Sequence, residues 1–121
     1  MNTLLAIASL AEAGTGAVLL AYPPIVIHLL FGAEIGGVGI TMSRIAGIAL
    51  LGLGVACWPG NSARQPLYGM LTYSTLVALY LIVVAQAGAA GILLWPAVAV
   101  HAGLCALLVR AGSKAQKTPM V

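Results

Sequence analysis

The stretch LAIASLAEAGTGAVLLAYPP, Leu5 to Pro24, decides the fold. It is apolar or small almost throughout, ends on two prolines, and carries one glutamate, Glu12, near its middle. Extended back to Thr3, the run reaches the ~20 residues that a helix needs to cross a bilayer core of ~30 Å. Pro23 and Pro24 stop it, because consecutive prolines cannot continue the backbone hydrogen-bond ladder. A first span over residues 3–22 is the expectation, with a carboxylate inside it. The opening MNTLLAIASLAEA also has the apolar core and small residues of a secretory leader. No Lys or Arg precedes that core, and the run continues past the candidate cleavage site, so an uncleaved span is expected.

The rest of the chain repeats this character. Of 121 residues, 62% are hydrophobic and 6% are charged, and the mean hydropathy is +1.11. A soluble domain carries about 25% charged residues, and a core this small could not hide so much apolar surface. The length allows four crossings. Further spans are expected over residues 36–57, closed by Trp58-Pro59-Gly60, over 67–87, and over 91–110, with a polar tail at 111–121. PPIVIHLLFG, after the first span, is too short to cross again; Pro at its start and Gly32 at its end suit a short interfacial helix. The fold class is therefore all-α: an integral membrane four-helix bundle in one domain.

Charge sets the orientation. Arg64, Arg110, Lys114 and Lys117 fall on one side of such a bundle, while the opposite loops hold Glu34 and no Lys or Arg. The positive-inside rule places both termini in the cytoplasm, in a bacterial inner membrane. Trp58 and Trp95 stand near span ends, where indoles prefer the interface. Five basic residues are too few for a nucleic-acid surface. In lipid, helices associate through close contact of small residues. Ala13/Ala17/Ala21, Ser43/Gly47, Gly52/Ala56 and Ala102/Ala106 all have the spacing for it.

The residues at depth carry the functional question. Counting along the spans puts Glu12 roughly 12 Å, Arg44 roughly 18 Å and His101 roughly 15 Å from the cytoplasmic side. An isolated intramembrane charge costs at least ~2.5–3.5 kcal/mol, so such groups turn inward and pair. An ion pair between Glu12 and Arg44 is expected, completed by His101 and by Tyr73 or Tyr80, which are seven apart on one face of the third span. Three readings of the cluster stay open. It fixes which helix faces which; it binds a polar group or relays protons; or Arg44 snorkels outward and the coincidence of depth means nothing.

Other chemistry is poorly served. His28 and His101 differ in depth by roughly 15 Å, too far for two axial ligands of one haem. Met42, Met70, Cys57 and Cys105 are too scattered for a metal site, and the cysteines lack C-x-x-C spacing. No nucleophile elbow, zinc-binding or phosphate-loop motif occurs, and there is no aspartate. No cofactor and no metal are expected, and an enzyme is not the favoured class.

LAEAGTG around Glu12 resembles the first helix of small multidrug resistance transporters, which are four-helix proteins of similar length. That resemblance implies a glutamate that binds substrate and proton alternately. This chain lacks the family's aromatic and glycine pattern in the third helix, and its charge bias departs from the dual-topology members. The wider layout resembles DoxX-like membrane proteins. The proline-ended first helix, LLFG, and SRIAGIALLGLG with Arg44 ahead of a glycine-rich second span carry that likeness over about the first half of the chain. It implies a compact bundle, often an accessory subunit, and transfers no catalytic residue. The expected role is that of a small membrane protein binding a lipid-like or small organic ligand, or a membrane partner, including a second copy of itself. The alternatives are a proton-coupled transporter built on Glu12 and a structural subunit of a larger complex.

Overall fold

The computed structural model describes residues 1–61 and 64–117, the Lys117 side chain excepted. Ser62 and Ala63 of the expected polar loop and residues 118–121 of the expected tail lie outside the described residues. The helices are α1 (Asn2–Ala21), α2 (Pro23–Phe31), α3 (Val38–Ala56), α4 (Arg64–Gln86) and α5 (Leu94–Lys117). Among the described residues there is no strand. All but α2 are long and apolar enough to cross a membrane. Helix α5 runs on through Lys117, so residues 111–117 of the expected tail are helical. Apart from Gly112, which lies against the Leu67 side chain, the segment is Ala, Ser, Lys and Gln, with no proline before Pro119.

Local chemistry explains the boundaries. Tyr22 separates α1 from α2, and Pro23 and Pro24 occupy the first turn of α2, where a missing N–H costs nothing. Gly32 ends α2 in the left-handed conformation (φ 66°), its N–H donating to the His28 carbonyl. The chain between α4 and α5 then satisfies carbonyls that the end of α2 leaves open. The Leu93 N–H donates to the Leu29 carbonyl at 2.8 Å and the Ala90 N–H to that of Phe31 at 3.3 Å. Gly91 lies so close to the Leu29 and Leu30 backbone that no side chain fits there. This clamp fastens α2 to the start of α5.

The bundle is two helix pairs. Helix α1 packs chiefly on α3, and α4 chiefly on α5. The α1–α3 contact is made of backbone. A β-carbon on Gly16 would lie 2.6 Å from the Gly47 carbonyl oxygen, and one on Gly54 would lie 2.7 Å from that of Ser9. These two contacts make the helices antiparallel. The expected small-residue pairs are only partly used: Gly47 and Ala13 are at this seam, whereas Gly52 faces open space and Ala102 and Ala106 are exposed. Gly16 and Gly54, absent from those pairs, complete it.

Side-chain packing supplies the rest. On α4 the buried positions are Leu67, Met70, Ser74, Ala78 and Leu81, one stripe at helical spacing. Leu5, Ala8, Cys57, Leu67, Met70 and Leu108 form one cluster toward the basic end, and Leu81, Leu94 and Val98 form another beside α2. The outward faces are apolar as well: Leu10, Ile48, Leu76 and Leu107 are each more than half exposed. An apolar surface on every side matches a lipid solvent.

Candidate functional site: a polar pair at the wall of an apolar cleft

Because α1 leans on α3 and α5 on α4, a space of about 540 Å³ remains between α1 and α5. Tyr73, Val77 and Leu81 of α4 contribute to its walls, as do Val26, Leu29 and Leu30 of α2. The rim is exposed: Thr15 and Val18 on α1, Pro96 and Val100 on α5. The volume is within the range of ligand pockets. The walls are apolar except where Glu12, His101 and Tyr73 meet, with Thr15 nearby.

Glu12 belongs to the buried stripe of α1, Leu5-Ala8-Ser9-Glu12-Gly16-Leu19, and is 6% exposed. Its Oε1 lies 3.5 Å from Nε2 of His101. The other ring nitrogen, Nδ1, donates to the Ala97 carbonyl at 2.8 Å, one turn back along α5. Tyr73 sets its ring edge to face against that imidazole, centroids 5.9 Å apart at 60°, and shares the cleft wall with Glu12. Three helices thus converge on one carboxylate.

Proton accounting follows from this geometry. A carbonyl only accepts, so Nδ1 carries a hydrogen. When the pair holds one further proton, Nε2 faces Oε1 either as N–H toward carboxylate or as a lone pair toward a protonated carboxyl. One proton serves either arrangement, and with it the pair has no net charge. The separation of 3.5 Å is longer than a good N–H···O hydrogen bond. Nε2 is accordingly a buried polar atom without a hydrogen-bond partner, although it lies within ion-pair range of Glu12. The two groups attract but do not satisfy each other. Such an orphan is uncommon in native proteins and calls for an explanation.

Comparison of the chain with protein-family models, curated proteins and solved structures finds no match to any of them.

Two expected members stand elsewhere. Arg44 is exposed, does not line the cleft, and makes no ion pair or hydrogen bond among the described residues. The expected Glu12–Arg44 pair is replaced by Glu12–His101. The cause is register. Gly16 faces Gly47 in antiparallel helices, with Glu12 four residues before Gly16 and Arg44 three before Gly47. Four plus three residues at 1.5 Å each separate the two charges by about 10 Å along the axis. Tyr80 is also absent from the cleft, at 67% exposure. Seven residues fall about 20° short of two full turns, and beyond Tyr73 the buried stripe of α4 passes through Ala78 and Leu81, leaving Tyr80 on its outer side.

His28 is exposed and lies 3.4 Å from the exposed Glu34, a pairing of little energetic weight. Cys57 is buried, and both cysteines are free. Among the described residues, no group of three His, Cys, Asp or Glu side chains gathers where a metal could be held. Sequence reasoning missed Ser9 and Ser74, whose buried hydroxyls also lack partners. The only available signal was position: Ser9 is one turn before Glu12, and Ser74 is next to Tyr73.

Proposed function

We propose that this is a multi-pass bacterial inner-membrane protein, both termini cytoplasmic, that holds a lipid-like or small hydrophobic ligand in the cleft between α1 and α5. The observation that carries the reading is the cleft itself: apolar walls, a rim on the side of the bundle, and one polar point at Glu12 and His101. A ligand entering between Thr15 and Val100 comes from the acyl-chain region without crossing water. Helix α2 lies at the interface on the outer side and closes that end of the cleft, and Trp58 and Trp95, both exposed, mark the two membrane boundaries. The resemblance to DoxX-like proteins belongs to the same proposal.

The test is native mass spectrometry of the chain extracted gently with its lipids. A small mass retained one per chain, and lost in Val77→Phe or Val100→Phe, is the expected result. Both substitutions fill the cleft from its wall or rim and leave the polar pair in place. A bare chain that stays bare when lipid extract is added would sink the reading.

A specific observation favours a second reading, a membrane partner. Helix α3 is covered almost solely by α1, and Gly52 on it meets nothing within 4 Å. A subunit reading predicts that the chain is unstable when expressed alone, and a well-behaved isolated monomer would count against it.

A further inference from the structure

The geometry points to the head group of the ligand: we propose that the cleft selects an amphiphile with an uncharged hydroxyl head, which enters between His101 Nε2 and Glu12 Oε1. The inference rests on the cleft reading and narrows it to one chemical class.

The pair presents one donor and one acceptor 3.5 Å apart, too far for a good bond to each other. If the proton is on Nε2, the ring donates and the carboxylate accepts. If it is on Oε1, the roles exchange. A hydroxyl donates one hydrogen and accepts through two lone pairs, so it completes either form without moving a charge. It also gives the buried, orphaned Nε2 the partner that it lacks.

Charged heads fit less well. A carboxylate would bring a second negative charge against Glu12 in a site of low dielectric, where like charges repel strongly. An ammonium offers donors only, so the pair would first have to release its shared proton. No Lys or Arg is among the described residues lining the cleft to offset either charge. The ionisable groups lining the cleft are few: Glu12 from α1, Tyr73 from α4 and His101 from α5, while α2 and α3 line it with Val26, Leu29, Leu30 and Leu50. From the polar point the apolar wall continues toward α2, which gives the chain of the amphiphile its direction. A net-neutral pair also keeps the occupied cleft free of any isolated charge at depth.

The experiment uses three probes of equal chain length: tetradecanol, tetradecylamine and tetradecanoate. Each is added to the delipidated full-length protein and followed by native mass spectrometry, singly and in competition. The alcohol is expected to win by roughly tenfold over each charged probe, the scale of about one net hydrogen bond left unmade. In His101→Phe, which keeps the ring, removes both nitrogens and leaves Glu12 without its partner, the lead of the alcohol over the amine should disappear. If that variant fails to fold, Glu12→Gln serves: with the carboxylate gone, the margin over the acid should narrow, and an unchanged margin counts against the proposal. Preference for the amine or the acid, or equal binding of all three to the native chain, overturns the hydroxyl inference and leaves the cleft reading standing. Retention of none of them removes both.

Discussion

Gly16 of α1 and Gly47 of α3 face each other so closely that a β-carbon on either would lie 2.6–2.7 Å from the carbonyl oxygen of the other. The obstruction is backbone, which cannot swing aside. Gly16→Ala and Gly47→Ala are each expected to cost about 2–3 kcal/mol, as overpacked cores do. Gly52 and Gly103 are helical and open, so Gly52→Ala and Gly103→Ala should gain about 0.5–1 kcal/mol from backbone entropy. Unfolding of the four variants in detergent separates the two classes, and equal effects would place the α1–α3 seam elsewhere.

A second expectation concerns pairing. Double-mutant cycles with Glu12→Gln and His101→Gln should give a coupling of about 0.5–3 kcal/mol, the range for residues in contact. The cycle of Glu12→Gln with Arg44→Gln should give less than about 0.5 kcal/mol, as for sites that share no partner. A large Glu12–Arg44 coupling would restore the ion pair that the helix register denies.

The contrast between these two cycles measures how far the sequence could be read. Four apolar runs, the double proline after Tyr22 and the Gly32 stop were legible, because each reports on its own neighbourhood in the chain. Glu12 and His101 were legible as candidates, since an ionisable residue in an apolar run is conspicuous. Which of them meets which was not. That depends on how far α1 slides along α3, and the slide is set by Gly16 and Gly47, residues with no side chain to reveal it. A shift of a few residues moved Arg44 out of reach. Tyr80 was misplaced for a related reason: equal spacing from Tyr73 says nothing about where the neighbouring helix ends its contact.

The clamp at Gly91 gives a third prediction. Gly91→Ala should push the α4–α5 connection off the Leu29 and Leu30 backbone and break the bond from the Leu93 amide to the Leu29 carbonyl. Hydrogen exchange at Leu93 is expected to quicken by about tenfold, equivalent to about 1.4 kcal/mol of local stability. Exchange at the α1–α3 seam should stay as it was. An unchanged Leu93 amide would mean that the clamp does not hold α2 in place.

Ser74 offers a fourth. Its hydroxyl is fully buried and unpartnered, so Ser74→Ala removes a desolvated group and little volume. Stability should rise by about 0.5–1 kcal/mol. A loss of similar size in thermal unfolding would show that the hydroxyl is bonded after all.

The pairing of α1 with α3 and of α4 with α5 has a consequence for how the protein is made. Each pair is consecutive in the chain apart from the short α2, so a ribosome delivers one finished hairpin before it starts the next. The clamp around Gly91, the Glu12–His101 pair, the packing of Phe31 on Leu81 and Leu94, the modest α1–α4 contact and the packing near the basic end await the second. A gene interrupted between the codons for Gly60 and Arg64 should therefore still yield two fragments that insert separately and find each other in the membrane, with the cleft formed at the moment they join.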